Sequence, residues 1–104
     1  MLPWREHPEA TKELLDAIRY YHGKQAGLGD DFAAEVARAI TDIQWYPNAW
    51  PMLTGWERIP VVRSRQVDIF PYRIIYYVSD SGINIVAHAA TARRPGYWKH
   101  RIDA

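Results

Sequence analysis

A chain of 104 residues, 48% of them apolar, is sized for one domain spanning residues 1–104 around a single compact core. With no cysteine and four scattered histidines, His7, His22, His88 and His100, neither a disulfide framework nor a metal site is expected, and no cofactor. The net charge of +1 hides an asymmetry: residues 1–55 hold five Lys/Arg against eight Asp/Glu (−3), and residues 56–104 hold eight against four (+4).

That split directs positive potential to whatever surface the second half builds, although the excess is below that of a typical nucleic-acid-binding domain. The longest apolar run, around Ile83 to Ala90, is far too short to cross a bilayer, and Met1 to Glu6 lacks the pattern of a signal peptide. A cytoplasmic protein with no membrane partner is expected.

In chain order, the apolar start, Met1 to Trp4, predicts an edge strand. Pro8 suits the first turn of a helix, with Glu9 and Glu13 near the positive end of its dipole. Ala10, Leu14, Ala17, Ile18 and Tyr21 recur at spacings of three and four, while Lys12, Asp16 and Arg19 fall outside the stripe. Gly23 marks the helix end. After Gly27 and Gly29, Asp30 or Asp31 is placed to cap a second helix with the stripe Phe32, Val36, Ala39, Ile40 and Ile43. So short a connection predicts an antiparallel helical hairpin.

Residues 46–56, with Pro47, Pro51 and Gly55 beside Trp50 and Trp56, predict an ordered loop. Three strands are then expected, around Val61 to Ile69, Ile74 to Val78 and Ile83 to Ala87. Phe70-Pro71 divides the first two, and Ser79-Asp80-Ser81-Gly82 turns between the others. The predicted fold is α+β: a two-helix hairpin on one face of a small, mainly antiparallel sheet in the order β-α-α-β-β-β, the other face being left for function.

Two stretches, Phe70-Pro71-Tyr72-Arg73-Ile74-Ile75-Tyr76 and Arg93-Arg94-Pro95-Gly96-Tyr97-Trp98 with Arg101, resemble signature segments of the RelE/ParE toxins. In the first half, His7-Pro8-Glu9-Ala10, Gly27-Leu28-Gly29 and Ile40 to Pro47 extend the likeness over nearly the whole chain. The resemblance implies the same hairpin-on-sheet fold and the toxin half of a bacterial toxin–antitoxin pair, of the kind linked to plasmid stabilization. Its implied partner is a cognate antitoxin that docks an amphipathic segment in a hetero-oligomer. Its implied targets are DNA gyrase, bound without catalysis, or the ribosome with mRNA, where the toxin is an endoribonuclease. One departure stands out: relatives ending in Pro-Gly-Tyr-Trp commonly carry a histidine five residues before that proline, and here the position is Ala90. His88 lies two residues earlier, on the same strand face but displaced by roughly 7 Å, or is a packed core residue.

Arg63 and Arg65, two apart on a predicted strand, project from one face, where their planar forks of donors would bridge a phosphate or else pair with Asp68 or Glu57. Arg93, Arg94 and Arg101 frame Tyr97 and Trp98, an interleaving that suits a nucleic-acid backbone and a stacked base, although Trp98 is expected to anchor the segment by packing. Tyr72, Tyr76 and Tyr77 read as sheet-packing residues. Message cleavage needs a proton acceptor and cationic stabilisation of the phosphorane. Arg63, Arg65, Arg73, Arg93 and Arg94 supply cations, whereas acceptors are restricted to His88, His100, or a Tyr97 of strongly lowered pKa. Binding to gyrase is therefore expected ahead of cleavage, with an inactivated relative as a further alternative. The absence of a helix-turn-helix with a basic recognition helix disfavours a plain DNA-binding regulator.

Overall fold

The computed structural model describes residues 1–102. It runs β1 (Trp4–Glu6), α1 (Pro8–Lys24), α2 (Leu28–Trp45), β2 (Val62–Gln66), β3 (Tyr72–Ser79) and β4 (Gly82–Ala90), with a closing 3-10 turn at Lys99–Arg101. This is the α+β arrangement expected from the pattern. The strands lie in the order β1-β4-β3-β2, β1 parallel to β4 and the other pairs antiparallel.

Local chemistry sets the helix ends. Pro8 opens α1, and the Nδ1 of His7 accepts the Glu9 amide at 3.1 Å, satisfying one of the free donors of the first turn. The helix passes Gly23 by one residue. α2 begins at Leu28, earlier than an aspartate cap would place it, because Gly27 takes a left-handed φ of 84° and turns the chain. Asp30 and Asp31 instead occupy the first turn, where they favour the dipole. The two helices meet closely at Gly29, where an added Cβ would lie 2.7 Å from the Ile18 carbonyl oxygen.

The edge strand falls at Trp4–Glu6 rather than at Met1 to Trp4, since Leu2 is held at the end of α2. Its amide donates to the Gln44 carbonyl (3.3 Å), and its own carbonyl accepts from the Gln44 side chain (2.8 Å). β2 stops at Gln66, short of the expected Ile69. The Gln66 amide side chain donates to the Tyr72 carbonyl at 2.9 Å, and the Val67 amide donates to the same oxygen, closing a tight turn. Ile69, 89% exposed, sits in that turn at φ 74°.

Between helices and sheet lies the main core. Ala10, Ala17, Phe32, Val36, Ala39, Ile40 and Ile43 meet Ile74, Tyr76, Ile83 and Ile85. Rings of Tyr21, Phe32, Phe70 and Tyr72 cluster at its margin, with Phe32 5.0 Å from both Phe70 and Tyr72, so the β2–β3 turn is riveted to the hairpin. The opposite sheet face is not left bare. A bulge between Ile75 and Tyr76 skips Val86 in the pairing, so Val86 and Ala87 both join an apolar patch with Val62, Ile75 and Ala89. Trp56 and Trp98 cover it, their rings 5.6 Å apart, because an apolar patch of that extent is unfavourable in water. Among the described residues, no helix is long and apolar enough to cross a membrane.

A β-branched residue at positive φ stores strain that glycine releases, less the entropy a glycine adds to the unfolded chain. Ile69→Gly is therefore expected to stabilise the protein by about 1 kcal/mol, read as a higher urea midpoint with unchanged slope.

Candidate functional site

Past β4 the chain crosses the Trp-covered sheet face. The Thr91 amide bonds to the Pro71 carbonyl, Pro95-Gly96 turns the chain with Gly96 at φ 77°, and Trp98 buries itself on Trp56. Between residues 53–56 and residues 93–99 this leaves an open cleft of about 320 Å³ floored by Ile75 and Ala89. Arg73, Arg93, Arg94 and Lys99 line it, and no carboxylate does among the described residues. The cations are held by neutral groups. Arg73 donates to Ser64 Oγ (3.2 Å) and Gln66 Oε1 (3.4 Å), the Arg93 guanidinium lies 3.9 Å from the centre of the Tyr97 ring, and Lys99 Nζ donates to the Gly55 carbonyl. Four positive charges over an apolar floor of indole and alkyl groups suit a ligand that is both anionic and apolar.

Behind the cleft runs a half-buried polar chain. β1 ends early, its last bond to β4 being the His7 amide to the Ile85 carbonyl, and past it two backbone groups of β4 are met by side chains instead. Arg101 donates to the Val86 carbonyl at 3.1 Å, and Glu13 Oε1 accepts the His88 amide at 3.1 Å. The same carboxylate binds the Arg101 guanidinium through both oxygens (3.0 and 3.1 Å) and takes the Tyr97 hydroxyl at 2.6 Å. Next to it, Glu6 pairs with His88 Nε2 (2.8 Å) and accepts from the Thr11 hydroxyl (2.8 Å). Burial pushes the Glu6 carboxyl up, but the bonds from His88 and Thr11 outweigh it and hold the group below its usual range. Burial and the bond to Glu13 drive the Tyr97 phenol well above its ordinary value.

The sequence-derived candidates divide between these two regions. Arg73, Arg93 and Arg94 line the cleft. Arg101 does not serve it as a free cation: its side chain is 7% exposed and committed to Glu13 and Val86. Arg63 and Arg65 do share a face, but it is the one toward the helices. Arg63 donates to the Trp50 carbonyl, and the buried Arg65 pairs with Asp42 of α2 at 2.7 Å and with Asp68, its guanidinium stacked on Trp50. The reason is the pleat: Val62 joins the Trp-covered patch and Ser64 meets Arg73 on that side, so residues 63 and 65 turn inward.

The catalytic candidates do not converge on the cleft. His88, 2% exposed, faces the helical side and Glu6. The Tyr97 ring forms part of the cleft wall while its hydroxyl is given to Glu13, and a raised pKa disqualifies it as a base. His100 is exposed on the closing turn and is not among the cleft's lining residues. Trp98 and Tyr76 pack as expected, Tyr76 also donating its hydroxyl to the Pro47 carbonyl.

Sequence reasoning missed Glu6, Thr11 and Glu13. A signal for Glu13 existed, since it lies three residues after Ala10 and four before Ala17, within the buried stripe of α1. No protein-family model matches the chain, and a comparison with curated proteins finds no match.

Because Arg65 joins sheet to hairpin, Arg65→Ala is expected to cost about 1–3 kcal/mol, whereas Arg63→Ala, losing one bond from a half-buried group, costs about 0.5–1.5 kcal/mol. Thermal or urea melting of each single variant tests the ranking, and equal, negligible losses would contradict these placements. A second expectation concerns acid. Stability from Glu6 is fully present above its unfolded pKa near 4.5 and is lost as pH falls through the lower folded value. Urea midpoints from pH 7 to pH 3 should thus converge between wild type and Glu6→Gln at the acid end, the wild type leading only at higher pH.

Proposed function

We propose that this chain is a RelE/ParE-like toxin, neutralised by a cognate antitoxin, that arrests growth by binding a macromolecular target through the Arg73, Arg93 and Arg94 cleft, with DNA gyrase as the target. The observation that carries the choice of binding over message cleavage is the makeup of the cleft. Among the described residues it gathers cations and apolar rings but no side chain able to take a proton near neutral pH. Arginine stays protonated, the Tyr97 phenol is held above its ordinary range by Glu13, and His88 is turned to the opposite side of the sheet. Binding needs none of these to ionise. An anionic, partly apolar surface element would be drawn by the charge and seated on Trp56 and the floor of the cleft. The sequence likeness at Phe70 to Tyr76 and Arg93 to Trp98 supports the toxin class, since both stretches contribute to this cleft through Arg73, Ile75 and Arg93 to Trp98.

Induction of the chain alone is expected to stop bacterial growth, and co-expression of a neighbouring antitoxin gene to restore it. Supercoiling by purified gyrase should fall with added protein while message 5′ ends on translating ribosomes remain unchanged. Arg73→Ala, Arg93→Ala and Arg94→Ala together should raise the inhibitory concentration by about a hundredfold or more, the loss of several charge-assisted contacts. Codon-phased cuts that need ribosomes would overturn the binding reading, and normal growth at verified soluble expression would overturn the toxin class.

A further inference from the structure

We propose that Glu13 is the positioning residue of the cationic cleft: from α1 it clamps the C-terminal segment that carries Arg93 and Arg94, a role that rests on the cleft being the site of action. The segment has little backbone attachment of its own. Among the described residues, the amides of Thr91 and Arg93 bond to Pro71 and Ala90 at its start, and its later amides bond only within it: Tyr97 to Arg94, Lys99 to Gly96, Arg101 to Trp98 and Ile102 to Lys99. What fixes it to the body is therefore side-chain chemistry. Trp98 packs on Trp56, Lys99 reaches the Gly55 carbonyl, and Glu13 takes both the Tyr97 hydroxyl and the Arg101 guanidinium.

Tyr97 transmits this hold to the cleft. Two guanidinium groups lie over its ring, Arg93 at 3.9 Å and Arg101 at 5.2 Å from its centre, so fixing the hydroxyl fixes the platform on which the Arg93 charge rests. Arg101 is tied in turn to the Val86 carbonyl, which ties the clamp to the bulge of β4. Glu13 also accepts the His88 amide, so its carboxylate is held by β4 as well as by the segment. Ala10 and Ala17, both buried, flank it one turn away on either side and let α1 approach β4 closely enough for a carboxylate to reach. A helix residue outside the cleft thereby determines where two of the cleft's cations stand.

Hydrogen exchange read by NMR on the full chain tests the clamp, beside growth arrest at matched soluble expression. Glu13→Gln keeps the shape and removes the charge. Exchange at the amides of Tyr97, Lys99, Arg101 and Ile102 is expected to accelerate about tenfold or more, while Ile40 and Ile43 in α2 keep the wild-type rate. Tyr97→Phe, which leaves a ring beneath Arg93, should give a smaller acceleration, and the double variant less than the product of the two single effects. Growth arrest should weaken in the same rank order. Unchanged exchange in residues 97–102, or an equal acceleration throughout the chain, overturns the proposal; the second pattern would mark Glu13 as a residue of general stability alone. Full growth arrest with a released segment also overturns it. If the wild-type chain never arrests growth, the toxin reading fails by itself and the exchange pattern alone decides the clamp.

Discussion

The ion pair between Glu13 and Arg101 joins parts of the molecule that otherwise have little claim on one another. β1 pairs with only three residues of β4, a strand of nine, so beyond Ile85 the sheet has backbone groups without a neighbouring strand. Open sheet edges are liabilities in any fold. Here a carboxylate from α1 accepts the His88 amide, and a guanidinium from the last turn donates to the Val86 carbonyl. The two charges neutralise each other in bidentate geometry, which is what makes their shared burial tolerable. An edge capped this way needs no additional strand, and the chain that would have formed one is free to cross the opposite face and build the cleft.

Burial sorts the arginines into two populations with opposite roles. Arg65 and Arg101 are enclosed and answered by carboxylates, Asp42 with Asp68 and Glu13 respectively, so their charge is spent inside the structure. Arg73 and Arg93 are held by hydroxyl, amide and aromatic groups, which orient a cation without cancelling it. Counting basic residues in the second half of the chain therefore overstates the potential available to a ligand. Of the six basic residues that remain in the second half, four, Arg73, Arg93, Arg94 and Lys99, converge from a strand and a following turn on one opening.

The parts legible in the sequence are those governed by period. The stripes Ala10-Leu14-Ala17 and Phe32-Val36-Ala39-Ile43 named the buried helix faces, and the turn residues 79–82 named the β3–β4 hairpin. Period two also placed Arg63 and Arg65 on a common face. It could not say which one, because polar residues occupy both sides of β2 and only Val62 at its start records the direction. Glu13 was hidden for a different reason: an acid in the first turns of a helix already has an explanation in the dipole, and its partners Tyr97 and Arg101 lie more than eighty residues away. Ile69 went astray because a β-branched residue is a strand signal, and positive φ at such a residue is a cost accepted to swing Phe70 into the ring cluster.

The same geometry bears on the choice between binding and catalysis. A ribonuclease site of this size would need an acceptor facing the arginines, and the last residue of β4 beside them is Ala90, which offers none. Ala90, at the end of β4, reaches the lining of the cleft, whereas His88, two residues earlier, has its ring on the helical side against Glu6. Its ring is engaged by Glu6, and Glu6 by Thr11, so swinging it outward would take one partner from a half-buried carboxylate as well as break the strand's packing. The imidazole is thus withheld by the fold itself, and what the cleft exposes is charge, shape and indole surface.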